Sequence, residues 1–581
     1  MGGMCSWKVI LPWDTGIFWT TPEEVGERQP LELKGLPFKI VMDGRLDNRP
    51  ELLSELSFYP EEKGTLSDAA LILYAYERWG EHCLEHFIGE YALIIVDQRR
   101  GELLCGRDAL GDRTLFYSFK GTRLVIASEP WAVAGADGSM PELDERALAY
   151  YFALKCTEDG QTLFKNVYEL LPAQAMLVNA SGQRSWRSWE PDPSRRVRYS
   201  TDQEYAEQFH DLLELSVRCR MRATTPVGVL MSGGLDSTSV ASLAARMIEP
   251  KPLTTLSYVF DELKDCDERQ YIATMKEKWG IHSIQIPCDD AWPYKDWQHW
   301  PHNPNRPEGN PYRLLKERAY QRTYTEGLRV LLIGAFGDHL YIGGKDFLTD
   351  LIADGRFLDA GRELGLHIRS IGLRRTWQTG YVQWVARNWL NRLPGGMRIF
   401  RRPTIPAWLT SYSARQLPEL GSERFSFPAL DRHRSLLGLD AALSSSAEIF
   451  NANRHSLELR DPYRDRRLVE YVLALPAYQL YNHGLPKWIL RVAMRGILPD
   501  AIRARTKPTS LISLYFRGVE READLLQKCF QDPLTDWHRF VKPDWLSKRW
   551  NIEVPPDQDS PALLIPWFCI SYEKWRNSLN V

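Results

Sequence analysis

The stretch Val227-Gly-Val-Leu-Met-Ser-Gly-Gly-Leu-Asp-Ser-Thr238 constrains the fold more than any other part of the chain. Val227 to Met231 is an apolar run of strand character, and Ser239 to Ile248 carries apolar residues at helical spacing among good helix formers. Ser232-Gly-Gly therefore falls where a buried strand turns into a helix. Glycines leave backbone N–H groups open at such a turn, and the helix start adds the positive end of its dipole, so the natural ligand is a polyphosphate. Leu230, Ser232, Gly233, Gly234, Leu235, Asp236, Ser237 and Thr238 are the candidate nucleotide contacts. Asp236 sets a carboxylate beside that anion, which is repulsive unless a divalent cation lies between them, so Asp236 is a candidate magnesium ligand. No Gly-Lys-Ser/Thr follows at the required spacing, so the turn is not a Walker A loop.

The totals exclude several classes. At 581 residues, 44% hydrophobic and 25% charged, the chain has room for two to four globular domains. A net charge of -2 argues against a general binder of nucleic acid or acidic membrane. No apolar run approaches the roughly 18 to 20 residues that span a bilayer, and the start MGGMCSWKVILPW lacks a signal-peptide layout. The expectation is a cytoplasmic protein with neither nucleic acid nor membrane as partner. The nine cysteines stand singly, which speaks against structural zinc or a disulfide framework. The 21 tryptophans are many, and a surplus of aromatics suits core, groove walls or a surface that grips a peptide.

Residues 1–135 show short β-like runs (Phe38 to Met42, Tyr91 to Asp97, Glu102 to Gly106, Arg123 to Ala127) around one amphipathic helix near Ser67 to Trp79. This is an α+β pattern of mostly antiparallel strands. The glycine-rich break Ala134-Gly-Ala-Asp-Gly-Ser-Met-Pro141 places a boundary near 135, with linker and connecting elements over 136–200 and a second domain over 201–581. From Thr201 onward helices and strands alternate, predicting an α/β, doubly wound parallel sheet with helical insertions and with ligands at the carboxyl ends of its strands. Gly334-Ala-Phe-Gly-Asp-His-Leu-Tyr-Ile-Gly-Gly344 directly follows the strand Arg329 to Ile333. Gly334 and Gly337 are thus candidate nucleotide-loop residues, and Asp338 the second magnesium carboxylate, its bland alternative being a capping Asp. Ser257 and Phe260, at the end of another strand, are candidate adenosine contacts. Trp292 to Pro311 reads as a long ordered loop or lid, and Asp354 to Arg402 as a basic, aromatic insertion: solvated helix faces, or a surface that docks a peptide.

Ser-Gly-Gly-x-Asp-Ser resembles the PP-motif of the ATP pyrophosphatase superfamily, and further segments resemble the asparagine synthetase B family. In the first domain these are Asp43-Gly-Arg-Leu-Asp-Asn48, Ser67-Asp68, Gly106-Arg-Asp-Ala-Leu-Gly111 and Leu115-Phe-Tyr117. In the second they are Glu458-Leu-Arg-Asp-Pro-Tyr-Arg-Asp-Arg-Arg-Leu468, Lys487-Trp-Ile-Leu-Arg491 and Arg505-Thr-Lys507. The resemblance implies an N-terminal class II glutaminase-like sandwich of the Ntn type, followed by an ATP-pyrophosphatase synthetase domain using ATP and Mg2+. It also implies that Lys487 contacts phosphate and that Lys507 stabilises charge during adenylation and acyl transfer. Glu458 matches the glutamate that handles a proton or orients the amine in the β-lactam-forming branch; a structural salt bridge with Arg460 is its other reading.

The departures from the family pattern discriminate. A class II glutaminase needs cysteine as residue one; here Cys5 follows Met-Gly-Gly-Met, where initiation at Met4 and methionine removal would expose it, but it precedes Ser-Trp and not Gly-Ile. The family's Asn-Gly-Glu has become Asp43-Gly-Arg45, which points to a degenerate domain without glutamine hydrolysis. The family's Ser-Gly-Glu-Gly-x-Asp-Glu reads Ile333-Gly-Ala-Phe-Gly-Asp-His339, so Ala335 replaces the glutamate near the reacting substrate. Members without a working glutaminase use an amine already on their substrate, and the chain looks most like a lasso peptide macrolactam cyclase. The implied partners are a precursor core peptide, a leader peptidase and a leader-recognition protein. An asparagine synthetase using ammonia, a β-lactam-type synthetase and a catalytically silent scaffold remain as alternatives.

Overall fold

The computed structural model describes residues 7–9, 20–58, 66–121, 123–341, 347–374, 405–417, 432–433, 436–532, 534–549 and 561–579. Its first part is a pair of sheets. One has six antiparallel strands in the order Gly182–Arg187, Gln174–Asn179, Glu102–Arg107, Gly89–Asp97, Phe38–Leu46, Leu31–Glu32. The other has four, in the order Trp7–Val9, Arg123–Ala127, Phe116–Lys120, Tyr168–Glu169. Apolar residues line both faces of the long strand Gly89–Asp97, and the two faces feed two clusters. Leu93 and Ile95 pack with Leu71, Ile72 and Tyr76 of the helix Asp68–Trp79, while Ala92 and Ile94 meet Leu124 and Ile126 of the second sheet. Ser67 starts that helix by accepting the N–H of Ala70 with its hydroxyl.

The expected boundary near 135 falls inside this unit. Strands Tyr168–Glu169, Gln174–Asn179 and Gly182–Arg187 lie within the segment assigned to linker, yet they complete the two sheets, through pairings such as Leu104 with Leu177. Ala134 to Pro141 is a break in the chain path but not an edge of the domain. Its glycines mark a turn, and a turn alone does not say whether the chain returns to the same sheet.

The second part holds a five-stranded, wholly parallel sheet in the order His282–Pro287, Thr254–Val259, Val227–Leu230, Val330–Leu332, Glu458–Arg460. Helices Asp202–Arg220 and Leu235–Ile248 share one core with one face, and Arg313–Thr325 and Leu439–Asn453 pack on the other. The first of these helices opens with a full capping box between Thr201 and Glu204. The sheet is the doubly wound arrangement that strand and helix alternation predicts.

Of the two insertions, the first takes the ordered-loop alternative. Trp292 to Pro311 is a packed wall and not a lid. Tyr294 and Trp300 are buried against Trp567 of the C-terminal helix Pro561–Ser578, the Tyr294 and Tyr515 hydroxyls lie 3.1 Å apart, and Trp567 Nε1 donates to Glu308 O at 2.8 Å. Its aromatics are consumed as core. Of the basic insertion, Phe357–Ile371 is a helix, while 375–404 lie outside the described residues, as does Cys5. Among the described residues no helix is long and apolar enough to cross a membrane.

Candidate functional site

The site forms at the carboxyl end of the parallel sheet, where two neighbouring strands deliver their loops side by side. The strand Val227–Leu230 leads through Ser232-Gly-Gly into the helix Leu235–Ile248, and Val330–Leu332 leads into Gly334 to Leu340. The two loops touch so closely that a side chain cannot fit between them. A Cβ on Gly337 would lie 2.6 Å from Asp236 Cγ, and one on Gly334 would lie 3.0 Å from Ser237 N. Gly334 and Gly337 thus bring Asp338 to Asp236, which is a reason for glycine there distinct from phosphate contact. Asp461 holds the second loop from below by accepting the Phe336 N–H at 2.7 Å, and Tyr463 donates its hydroxyl to Asp236 O at 3.2 Å.

Lys487 joins the two carboxylates. Its ammonium bonds Asp236 Oδ2 and, at 2.5 Å, Asp338 Oδ1. Lys487 has a left-handed backbone (φ 58°, ψ 37°), a conformation that costs a non-glycine residue about 1–3 kcal/mol and clusters at functional positions. Burial raises the Asp236 carboxyl to about 6 against the opposing pull of Lys487. Asp236 Oδ1 is buried without a hydrogen-bond partner. A carboxylate pair that already shares one cation, with an unused buried oxygen, fits a magnesium ion completed by phosphate oxygens.

The anion cradle differs in detail from the sequence expectation. The glycine-turn N–H groups are already engaged: Ser232 donates to Ser237 Oγ at 3.0 Å, Gly233 to Glu268 Oε2 at 2.8 Å and Gly234 to Ser232 Oγ at 3.1 Å. Among the described residues no side chain caps the helix, so the N–H groups of its first turn, on Leu235, Asp236 and Ser237, remain for an anion. Thr238 turns its hydroxyl back onto Gly234 O, and Leu235 packs into the core. Gly233 is required by packing: a Cβ there would meet Tyr271 Cδ2 at 2.7 Å.

Four further candidates occupy other environments. Ser257 is buried and donates to Met231 O at 2.6 Å, and the Phe260 ring lies in the core with Leu256, Cys266 and Leu315. Neither presents its side chain to the crevice; both brace the strand ends, as does Leu230, half-buried against the same cluster. Lys507 is exposed beside the glycine turn, in a segment that Arg505 fastens to Gly233 O at 2.8 Å.

Glu458 is the main correction. It pairs in register with Val330, the first residue of its neighbouring strand, which puts it at the amino end of the sheet, about 10 Å from the crevice by strand rise. There Arg113 Nη2 (2.6 Å), Arg460 Nη2 (2.8 Å) and Arg45 Nη1 (3.1 Å) surround a carboxylate that is 4% exposed. Burial would raise its pKa, but the three guanidiniums hold it well below the usual carboxylate range. It is an ion-pair hub between the domains and not a general base, and pairing with Arg460 is part of its role. Sequence reasoning missed this because Arg45 and Arg113 come from more than 300 residues away.

The same interface engages the residues that match the glutaminase motifs. Asp68 Oδ1 is bonded by Arg49, and Oδ2 accepts from Leu46 N (2.7 Å) and Arg222 Nη2 (2.8 Å). Arg45 is fully buried between Glu90, Asp47 and Glu458.

A parallel sheet that presents an uncapped helix start and two joined carboxylates at the carboxyl ends of its strands has the layout of a nucleotide-binding α/β protein. Residues 208–522, more than half of the chain, match the asparagine synthase family, and residues 22–189 match a glutamine amidotransferase domain. The chain belongs to the asparagine synthase family, whose members are ATP-dependent amide ligases. It is 26% identical over 527 residues to asparagine synthetase (glutamine-hydrolyzing) 3 of Bacillus subtilis, covering 85% of this chain and 79% of that one. It is 30% identical over 501 residues to a putative asparagine synthetase (glutamine-hydrolyzing) of Mycobacterium tuberculosis, covering 81% and 74%. Amidase chyE of Penicillium rubens matches at 24% over 348 residues, covering 56% and 50%.

Proposed function

We propose that this protein adenylates an Asp or Glu side-chain carboxylate of a precursor peptide and joins it to the peptide's N-terminal amine, as a lasso peptide macrolactam cyclase does, releasing AMP and pyrophosphate. The observation that carries this reading is the filling of the first domain's glutaminase motifs by the chain's own arginines. Asp68 is bonded by Arg49 and Arg222, and Arg45 by Glu90 and Glu458, so these side chains are engaged within the protein and not turned to a ligand. An amine that arrives with the substrate suits such a domain. Ala335 supports the same conclusion: it is exposed beside Asp338, and its small side chain leaves the mouth of the crevice open to a substrate larger than a free amino acid.

In this mechanism the first-turn amides of Leu235, Asp236 and Ser237 bind the triphosphate, and Lys487 moves from the carboxylates to the phosphates. Asp236 and Asp338 would hold the magnesium ion, which supplies charge neutralisation at the phosphates. Lys507 stabilises charge as the peptide carboxylate attacks the α-phosphorus and pyrophosphate leaves. The neutral N-terminal amine then attacks the acyl-adenylate carbonyl, the new C–N bond replaces the C–O bond to AMP, and the amine's proton passes to solvent as AMP leaves. Holding both ends of one chain together supplies effective concentration, worth about 7–11 kcal/mol of barrier in well-oriented cases.

The asparagine synthetases among the relatives favour a second reading, formation of asparagine from aspartate and ammonia. The test measures magnesium- and ATP-dependent pyrophosphate release with a linear lasso-type core peptide, with aspartate plus ammonia, and with aspartate plus glutamine. Release with the peptide and loss of one water from its mass is expected. Release only with aspartate and a nitrogen source would sink the cyclase reading.

A further inference from the structure

We infer that Arg505, seated by Glu268, is a positioning residue of the adenylation step, setting both the nucleotide turn and the reach of Lys507. The inference rests on the ATP-dependent reading above. One guanidinium makes four bonds to three segments. Nη1 donates to Gly233 O at 2.8 Å and to Glu268 Oε1 at 2.8 Å, Nε donates to Lys507 O at 2.8 Å, and Nη2 bonds Thr509 Oγ1. Glu268 closes the ring with its other oxygen, accepting the Gly233 N–H at 2.8 Å. Gly233 is therefore held at both its carbonyl and its amide, and the peptide planes of the turn cannot rotate without breaking a charged hydrogen bond.

The clasp is rigid. The Arg505 side chain is 8% exposed and lies over the Tyr271 ring at 4.3 Å, the same ring that Gly233 packs against. Lys507, two residues on, is exposed and makes no ion pair among the described residues. Its backbone carbonyl is fixed by Arg505 while its side chain is left for the nucleotide. The free first-turn amides and the Lys507 ammonium are thus registered to each other through a single fork, a geometry that three donors on a lysine point charge cannot reproduce. Misplacement by about 1 Å at such a site can cost about 10²-fold in rate.

If Arg505 works through Lys507, the two losses do not add. MgATP affinity is measured by titration calorimetry on the full chain as wild type, Arg505→Ala, Lys507→Ala and the double variant, with thermal melting alongside. Each single variant is expected to weaken MgATP binding about tenfold, and the double variant also about tenfold. Arg505→Lys and Glu268→Gln keep the test open should Arg505→Ala fail to fold. Both should weaken binding severalfold at an unchanged melting temperature. A double variant about 100-fold weaker, or Arg505→Lys and Glu268→Gln proteins with wild-type affinity, overturns this inference alone. Wild-type protein that does not bind MgATP removes the ligase reading and this inference together.

Discussion

The two ends of the parallel sheet use charge in opposite ways. At the amino end, Arg45, Arg113, Arg220 and Arg460 meet Asp47, Glu90, Glu458 and Asp465 in a buried network that joins the domains and balances itself. At the carboxyl end, Asp236 and Asp338 share Lys487, the one cation that bonds them among the described residues, Asp338 is 80% exposed at its side chain, and Asp236 keeps an unbonded oxygen. The strands are the same; only the neighbours differ. Where each charge has a partner, the chemistry is spent on holding domains together. Where charges outnumber their partners, a ligand has something to complete. A carboxylate's identity in a motif therefore says less about its task than the number of guanidiniums that reach it.

The sharpest way to break this contrast is to remove one charge from each end. Glu458→Gln leaves three buried guanidiniums without their shared partner and should cost about 3–5 kcal/mol in urea unfolding, if unfolding is cooperative. The pH dependence follows from the same cause. Because Arg460, Arg113 and Arg45 depress the Glu458 pKa, its contribution is fully present above the ordinary glutamate value and is lost as pH falls through the depressed one. The stability gap between wild type and Glu458→Gln should be constant between about pH 7 and about pH 5 and should narrow only in stronger acid. A gap that closes already near neutrality would mean the carboxylate is not clamped. Asp338→Asn makes the opposite test. It should shift stability by less than about 0.5 kcal/mol, as an exposed position does. Pyrophosphate release should nevertheless fall about 10²–10³-fold.

How much of this was legible before the structure depends on how far apart the partners lie in sequence. The glycine turn, the parallel sheet, Asp236 and Asp338 are local: each follows a strand by a few residues, and periodicity plus loop chemistry places them at one crevice. Glu458 is equally visible as a motif, but Arg45 and Arg113 reach it from the other domain, and no pattern in one sequence announces such a contact. The strands over 174–187 were hidden for a related reason, since a glycine-rich break looks the same whether the chain leaves a domain or returns to it. Asp461, which holds the Phe336 amide, had a faint signal in the Asp-Pro pair that starts a turn.

A smaller effect separates the two glycines of the turn. Gly233→Ala would drive a methyl into Tyr271, with Cδ2 at 2.7 Å and Cβ at 2.8 Å, and should cost about 1–3 kcal/mol as an overpacked site does. Because Gly233 also anchors to Glu268, MgATP binding should weaken with it. At Gly234 the nearest atom to a new Cβ is the Ser232 hydroxyl at 3.1 Å, which can rotate away. Gly234→Ala should be milder in both readouts, and equal penalties would mean that phosphate contact, not packing, dictates both glycines.

The smallest effect tests whether a strand-end serine belongs to the ligand or to the scaffold. Ser257 is fully buried, and its hydroxyl donates to Met231 O at 2.6 Å, the carbonyl immediately before the glycine turn. Met231 N in turn donates to Leu256 O at 2.8 Å, so the two strands are tied at this point by backbone as well as side chain. Ser257→Ala removes one neutral hydrogen bond and leaves a carbonyl unsatisfied, a loss of about 1 kcal/mol in unfolding. Because the backbone tie remains, the turn keeps its place and MgATP affinity should not change. A tenfold loss of affinity at unchanged stability would put the Ser257 hydroxyl on the nucleotide, and would mean that this end of the sheet opens further on binding than the buried serine indicates.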